Sequence, residues 1–271
     1  MTDTVVRAAT DDDMAAVRGV ATEFDVLAAW PGPPDFLDLE RAAGRLVVAE
    51  TAGRVVGFAG TLVRGGVTHL GDLFVTARRQ SSGVGRRLLD AVLPDGSAAV
   101  TYASSDPRAL ALYLSRGLRP LSPLFYLAGD PTRLPTPMTP ADPAGADDVS
   151  DLDALASGGE RREQLIWYGR RPGVQAWTVS GGYAFVRVIG ATAVIGPAGG
   201  RDPDGATNAL LAAAHRIGHH ARTAKVAVPG GHPALPRLVA AGFRITDLDT
   251  VMVSAGDTLA LDRYVPHPDL G

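Results

Sequence analysis

The order of predicted strands and helices occurs twice along the 271 residues, and this repeat constrains the fold more than any other feature. Each half shows a strand, two helical stretches, a hairpin, a further strand, a helix, a strand, and a helix that ends in glycine followed by an apolar residue. The matching positions are Gly117-Leu118 with Gly242-Phe243, and Leu88-Leu89 with Leu210-Leu211. The sequence therefore predicts a divergent duplication of a unit of about 125 residues.

Alternating strands and helices within each half favour an α/β fold, with a mixed sheet and flanking helices. The stretch DPTRLPTPMTPADPAG (130–145) is rich in proline, which is typical of an extended spacer without a fold of its own. We therefore expect an N-terminal domain over residues 1–130, a proline-rich linker over 131–145 and a C-terminal domain over 146–271.

The composition excludes several classes of protein. The net charge is −3, so no basic surplus indicates a nucleic-acid partner. The absence of cysteine excludes disulfides, thiolate metal sites and a covalent cysteine mechanism. The stretch MTDTVVRAATDDD is acidic, and no apolar run reaches about 18 residues, so we expect neither a signal peptide nor a membrane partner. These features favour a cytoplasmic protein.

A turn with two glycines, Gln80-Ser81-Ser82-Gly83-Val84-Gly85, lies between a predicted strand (69–75) and a predicted helix (82–93). The first N–H groups of a helix have no partner within it, and glycine lets the backbone approach a phosphate closely. No Gly-Lys-Ser/Thr follows, so the turn is not a Walker A loop, and Leu88 stands where the dinucleotide fingerprint requires its third glycine. The stretch therefore predicts a phosphate-binding turn of another kind.

From Val75 to Gly85 the sequence fits the pattern V-x-x-x-x-Q/R-x-x-G-x-G, followed by an apolar helix. This pattern resembles the acetyl-CoA motif of the GCN5-related N-acetyltransferase (GNAT) family. A second motif of that family, N-x-x-A-x-x-x-Y-x-x-x-G-F, is matched in spacing by Asp106, Ala109, Tyr113, Gly117 and Leu118, with aspartate for asparagine and leucine for phenylalanine. The resemblance covers nearly all of residues 4–129. It implies acetyl-CoA as co-substrate, no metal, and a tandem duplication of the GNAT acyl-CoA N-acyltransferase fold.

The resemblance also implies roles for individual residues of the first half. Backbone N–H groups of residues 81–86 would bind the CoA pyrophosphate. Tyr113 would protonate the departing thiolate, because a phenol can donate a proton to a base of similar strength; the alternative is a tyrosine that packs in the core. The set expected at the cofactor is Phe74, Val75, Gln80, Ser81, Ser82, Gly83, Val84, Gly85, Arg86 and Asp106. The arginines that would meet a phosphate, or else be solvated, are Arg78, Arg79, Arg86 and Arg87.

Asp72 lies on the strand that would flank the acetyl group. A carboxylate there can take a proton from an amine, directly or through water; the alternative is a structural hydrogen bond. Some relatives carry a glutamate one residue earlier, where this chain has Gly71. His69 lies on the opposite face of the strand from Asp72 and is a weaker candidate for the base.

The acceptor side of the site would be the irregular stretch between the first helix and the hairpin. Its acidic residues are Glu23, Asp25, Asp35, Asp38 and Glu40, and they surround Trp30. A cationic amine suits this composition, and we expect Asp25 and Trp30 to bind it. A solvated acidic loop is the alternative.

In the second half the corresponding turn reads Asp202-Pro203-Asp204-Gly205-Ala206-Thr207, with one glycine and two aspartates where a pyrophosphate would sit. Leu238 stands at the position of Tyr113. The resemblance therefore implies a degenerate, non-catalytic C-terminal domain. His215 and His219 share a helix face, but no nearby carboxylate completes a metal site, so we expect none.

These features predict an acetyl-CoA-dependent N-acetyltransferase that acts on a primary amine of a small molecule. The transfer would be direct, in a ternary complex, without an enzyme nucleophile. Two alternatives stay open: a non-catalytic acyl-CoA-binding regulatory or scaffold protein, and an acetyltransferase for protein N-termini or lysines. A homodimer is compatible with the sequence.

Overall fold

The strands and helices of the N-terminal half follow the order that the sequence predicts. The computed structural model describes residues 4–94, 96–137, 139–254 and 259–271. The elements of this half are β1 (Thr4–Ala8), α1 (Met14–Thr22), α2 (Phe36–Ala43), β2 (Arg45–Thr51), β3 (Arg54–Arg64), β4 (Val67–Val75), α3 (Val84–Val92), β5 (Ala98–Ala103), α4 (Pro107–Ser115) and β6 (Arg119–Gly129).

The C-terminal half repeats this order. Its elements are β7 (Asp142–Ala144), α5 (Ala146–Ser157), α6 (Arg162–Gly169), β8 (Val174–Val179), β9 (Gly182–Ile189), β10 (Thr192–Gly200), α7 (Pro203–Ile217), β11 (Thr223–Pro229), α8 (Ala234–Ala240), β12 (Arg244–Val253) and β13 (Tyr264–Val265). The segment 131–145 differs from the expected spacer without a fold of its own, because it begins with a 3-10 turn and ends in β7. Pro143 is tolerated in β7 because this strand lies at the edge of the sheet.

One mixed sheet runs through both halves, in the order β1-β2-β3-β4-β5-β12-β6-β11-β10-β9-β8-β7, with β13 beside β10. The last strands of the two halves are exchanged. Strand β12 runs antiparallel to both β5 and β6, and β6 in turn pairs with β11. The strand order is therefore symmetric about the β12–β6 pair, and helices cover the sheet, which confirms the predicted mixed α/β class.

The two central parallel pairs separate partway along their length. Strands β4 and β5 pair only from Val67↔Ala98 to Leu70↔Thr101, after which β4 continues to Val75 beside β3 alone. A gap therefore opens between β4 and β5. Strands β10 and β11 separate in the same way beyond Ile195, but there β13 pairs with the free edge of β10.

Two cores hold the elements around the first gap. On one face, Val84, Leu88 and Leu89 of α3 are buried against the sheet, at the spacing of one helix face. Each leucine contributes about 1.5–3 kcal/mol by its burial. On the other face, Phe36 of α2 packs in a core that also contains Tyr168 of α6, so this core spans both halves. In the described part of the chain, no helix is long and apolar enough to cross a membrane.

Candidate functional site

A cavity of about 860 Å³ lies at the gap between β4 and β5, and both halves of the chain line it. The N-terminal half contributes Asp72 on β4 and Tyr113 on α4, which are far apart in sequence. The C-terminal half contributes Lys225 on β11, Asp249 on β12 and Asp269 in the segment after β13. The exchange of the last strands brings β12 beside β5, so the second half forms part of this wall.

The edge of β4 beyond Leu70 faces the gap without a strand partner among the described residues. Its backbone N–H and C=O groups are therefore available to an extended ligand chain. Phe74 and Val75 lie on this stretch and line the cavity. The Phe74 ring packs against Phe24 at a centroid distance of 4.9 Å and against Phe58 at 5.6 Å, which fixes this wall.

The turn of residues 80–85 follows β4 directly and leads into α3. Ser81 and Gly83 both adopt left-handed backbone angles, with φ of 59° and 84°. Gly83 occupies the N-cap position, and no side chain caps the helix there. The first-turn N–H groups of α3, including those of Val84 and Gly85, are thus left to an external acceptor. Ser82 and Arg86 are exposed beside them.

Gln80 and Asp106 are engaged with protein groups at the mouth of the cavity. The Gln80 side-chain amide donates to the Val75 carbonyl at 3.2 Å, and its oxygen accepts from Arg108 at 2.7 Å. Asp106 caps α4 by accepting from the Arg108 backbone N–H at 2.9 Å, and it also pairs with that guanidinium at 2.7 Å. The sequence prediction missed Arg108, although its place two residues after a capping aspartate was visible.

Tyr113 is 7% exposed and lines the cavity. Burial raises the pKa of its phenol, and the negative charge of Asp72 raises it further. The phenol is therefore neutral in the physiological range and can donate a proton into the cavity.

Asp72 is 5% exposed, and its Oδ2 atom accepts no hydrogen bond from the described residues. Burial raises the pKa of this carboxyl group to about 7, and nearby Asp269 adds to the rise. The carboxyl group of Glu40 on α2 lies over Gly60, the cross-strand partner of Asp72, and its proximity holds the pKa of Asp72 below the value that burial alone would give. The sequence indicates Glu40 only as one of the acids of the acceptor stretch, and nothing in it places this carboxyl group beside Asp72.

His69, the weaker candidate for the base, is buried and in ring contact with Tyr102.

Only part of the acidic stretch before β2 reaches the cavity. Asp25 lines it, with a left-handed φ of 59°. Asp35 and Asp38 instead cap α2 and bind Arg18, at 2.7 Å and 2.6 Å. Trp30 is 5% exposed and does not line the cavity itself.

Trp30 reaches the cavity wall through a residue of the other half. Its indole N–H donates to the Asp269 carboxylate at 2.8 Å. Burial raises the pKa of Asp269 to about 6, and the Trp30 hydrogen bond opposes that rise. Arg161, which also forms a buried ion pair with Asp153, donates to the Leu270 carbonyl at 3.1 Å and so anchors the adjacent residue. Sequence analysis missed Asp269 because no spacing links it to Trp30.

The corresponding region of the C-terminal half is filled by the chain itself. β13 pairs with β10 where the equivalent gap begins. At the start of α7, the Asp202 carboxylate accepts from the Gly205 N–H at 2.7 Å, so a side chain of the protein occupies the anion position. Leu238, which aligns with Tyr113, is fully buried in an apolar core.

No described group of three His, Asp or Glu side chains is arranged to hold a metal, and His215 and His219 are exposed.

The chain is similar to acetyltransferases in sequence over one segment and in fold over its whole length. Residues 38–132 match the family model described as an acetyltransferase (GNAT) domain. No curated protein matches the chain at a significant level. A Pyrococcus horikoshii protein, described only provisionally as an acetyltransferase, aligns with 99% of this chain and 96% of its own length, at 19% identity and a TM-score of 0.74.

Two further solved structures show the same architecture. A GCN5-related N-acetyltransferase from Sphaerobacter thermophilus aligns with 92% of this chain and 95% of its own, at 15% identity and a TM-score of 0.59. A tandem GNAT protein from the clavulanic acid biosynthesis pathway aligns with 93% of this chain and 98% of its own, at 19% identity and a TM-score of 0.56. At these identities the similarity establishes the fold.

Proposed function

We propose that this protein transfers the acetyl group of acetyl-CoA to a primary amine of a small molecule, because residues 38–132 match the GNAT acetyltransferase domain model and nearly the whole chain shares its fold with GNAT proteins. One observation carries the proposal. A single cavity is lined by a free strand edge, a neutral phenol and a buried carboxyl group, and its lining reaches Gln80 at the start of the turn that leads to the uncapped N-terminus of α3.

The cofactor side of the cavity suits an extended thioester that ends in phosphates. The free edge of residues 71–75 offers backbone partners to the amide groups of a pantetheine arm. The N–H groups of residues 81–86 face the position of a pyrophosphate, and left-handed Gly83 leaves open space there, since a Cβ at this position would meet no atom within 4 Å. Arg86 is exposed beside the turn and adds a cation.

The chemistry requires a neutral amine and a protonated leaving group. Asp72, once ionised, accepts a proton from the acceptor ammonium, directly or through water. The neutral nitrogen then attacks the thioester carbonyl and loses a further proton as the amide forms. Tyr113 donates its proton to the departing thiolate, which yields free CoA thiol. The second proton lost by the nitrogen restores the phenol, and Asp72 releases its proton to solvent.

The acceptor side favours a cation. The carboxyl and amino side chains among the described residues that line the cavity belong to six aspartates and one lysine. The aspartates are Asp25, Asp72, Asp106, Asp247, Asp249 and Asp269. An excess of negative charge in a confined site attracts ammonium groups more strongly than in bulk water. A small alkylamine or diamine therefore suits the site better than an acidic amine.

The C-terminal half serves the acceptor wall and holds no second cofactor site in this proposal. Three contacts support this role: β13 on the edge of β10, the Asp202 carboxylate at the start of α7, and Asp269 in the cavity. The same chain segment that fills one gap thus supplies a carboxylate to the other.

Calorimetry with acetyl-CoA tests the cofactor side. A tryptophan at Gly83 projects into the space assigned to the phosphates, and we expect Gly83→Trp to abolish binding. Gly181→Trp is the matched control, because Gly181 is also a left-handed turn glycine with open space around it, in the β8–β9 turn. Equal binding by both variants contradicts the assignment.

Thiol release tests the catalysis. Free CoA should appear from acetyl-CoA only when an amine is present, and we expect the rate to follow the charge of the amine. Binding of acetyl-CoA without thiol release for any amine would instead support the non-catalytic acyl-CoA-binding alternative. Release with peptide amines alone would support a protein acetyltransferase.

A further inference from the structure

The Glu40 carboxyl group is wholly buried, and neither of its oxygens accepts a hydrogen bond from an N–H or O–H group of the described residues. It lies on the sheet-facing side of α2, beside buried Leu37 and Leu39. A buried carboxylate without donors is strongly disfavoured, whereas a protonated carboxyl group can instead donate a hydrogen bond of its own. The surroundings of Glu40 therefore favour the acid form.

Two glycines make room for this carboxyl group on the sheet. A Cβ at Gly60 would overlap Glu40 Oε2, and a Cβ at Gly71 would lie 2.7 Å from Oε1. Gly60 pairs with Asp72 across β3 and β4, at a point where the strand register shifts. The carboxyl group of α2 thus fills a notch directly beside Asp72.

The notch places the carboxyl groups of Glu40 and Asp72 side by side, and no described N–H or O–H group donates to either Glu40 oxygen or to Asp72 Oδ2. A hydrogen bond between the two groups therefore requires that one of them carries a proton. Two carboxyl groups this close do not both ionise readily. Glu40 is the more enclosed of the two, while Asp72 opens onto the cavity. Burial and the charge of Asp72 both raise the pKa of Glu40, and the proximity of Glu40 opposes the rise in the pKa of Asp72. The proton therefore stays on Glu40 while Asp72 ionises.

We propose that protonated Glu40 is a positioning residue, which donates a hydrogen bond to Asp72 and leaves the other Asp72 oxygen facing the acceptor amine. This inference rests on the proposed function in one respect, the role of Asp72 as base. It adds a residue from α2 that no motif of the sequence indicates. A role in filling the core alone would not require an acid at this position.

The pH profile of kcat/KM separates positioning from core filling. Glu40→Gln retains a donor toward Asp72, whereas Glu40→Leu removes it and keeps a similar volume. We expect the leucine variant to shift the ionisation of Asp72 to higher pH and to lower kcat/KM about tenfold near neutral pH, the effect of about one pKa unit. The glutamine variant should keep the wild-type midpoint. Glu163→Gln, at an exposed site on α6, is the control for the replacement of a glutamate by glutamine.

Two kinetic outcomes would overturn the proposal. One is an equal effect of glutamine and leucine. The other is a leucine variant whose rate falls by the same factor at every pH, because a structural defect does not move a titration midpoint. Thermal unfolding and calorimetry with acetyl-CoA confirm that each variant folds and binds.

Infrared spectroscopy tests the proton without any turnover. At about pH 8, where Asp72 is mostly ionised, the wild type should retain the carbonyl band of a protonated carboxylic acid. The band should be absent in Glu40→Gln and present in Glu163→Gln. A wild type without this band overturns the proposal, even if the leucine variant does not fold. A band without amine acetylation means that the proposed function fails while the carboxyl pair stands.

Discussion

At Tyr113, burial and proton donation depend on each other. Removal of the phenol from water disfavours the phenolate, and the nearby Asp72 carboxyl group disfavours it further. In the proposed mechanism the hydroxyl group would therefore return to its protonated form after each transfer. A more exposed tyrosine would titrate nearer its ordinary pKa and would also leave the thioester open to water.

Replacement of Tyr113 by phenylalanine removes the donor and keeps the ring. We expect kcat to fall about 10²–10⁴-fold, the usual contribution of a general acid. The Kd of acetyl-CoA should not change, and steady-state kinetics with calorimetry measure both quantities. Tyr168→Phe is the control, because Tyr168 is fully buried and its hydroxyl has no hydrogen-bond partner among the described residues. An unchanged kcat in Tyr113→Phe would remove this tyrosine from the mechanism.

Ionised Asp72, the form that the proposed mechanism requires, should lower the free energy of unfolding. Its pKa rises from 3.8 to about 7 on folding, so the folded protein binds the proton more tightly than the unfolded chain. This contribution is present below about pH 4 and is lost as the pH rises to about 7. We expect Asp72→Asn to be more stable than the wild type at about pH 8, by roughly 1–3 kcal/mol, although inactive.

Urea unfolding at about pH 4 and about pH 8 measures this difference. The gain in stability of Asp72→Asn should disappear at the lower pH, because the wild-type carboxyl group is then protonated and uncharged. A gain of the same size at both values would indicate a packing effect unrelated to the charge.

Sequence spacing could predict that Asp72 and Tyr113 lie at the cavity, because each is at a fixed distance from a motif along one strand or one helix. The same spacing could not predict Glu40 or Asp269. Glu40 is about thirty residues from its partner Asp72, and Asp269 lies 239 residues from Trp30. Their positions depend on how distant elements pack together, and local periodicity carries no information about that packing.

Helix α2 meets the sheet through a carboxyl group as well as through apolar side chains. Its capping box sets where the helix begins, and Glu40, the fifth residue of the helix, then lies over β3. The strands accommodate it with glycine where β strands ordinarily carry larger residues. The packing of α2 on β3 therefore depends on Glu40 of the helix and Gly60 of the strand together.

Gly60→Ala should destabilise the protein, because its Cβ would overlap Glu40 Oε2. We expect a cost of about 1–3 kcal/mol, typical of overpacking in a core. Glu40→Ala removes the overlap, so the double variant should be more stable than the sum of the two single effects predicts. Urea denaturation of the three variants gives the coupling energy. Strictly additive effects would mean that the two positions do not meet.

The bounds of most strands and helices could be predicted from the sequence, because periodicity and glycine turns report local burial. The strand exchange at the centre could not. The stretches that become β6 and β12 follow similar patterns, and a pattern indicates that a strand is buried but not which strand lies beside it. For the same reason the sequence could not predict that the second half lines the cavity.

At the scale of the whole molecule, the exchange makes the halves depend on each other. Strand β5 has β12 as its outer neighbour, and β6 has both β11 and β12. We expect a fragment of residues 1–130 to lack a cooperative unfolding transition, because these edges would be unpaired. Mixing it with residues 131–271 should restore the transition, and differential scanning calorimetry of each sample measures it. A cooperative transition in the first fragment alone would show that the halves fold independently.

The position of β12 also sets a schedule for biosynthesis. About 140 residues separate the end of β5 from the start of β12, so at about 5–20 residues per second the ribosome needs roughly 7–28 s to deliver the missing neighbour. During that interval the edges of β5 and β6 are open to other nascent chains. Chaperones that shield strand edges should therefore raise the yield of native protein, and the cavity can be complete only after β12 and Asp269 have been translated.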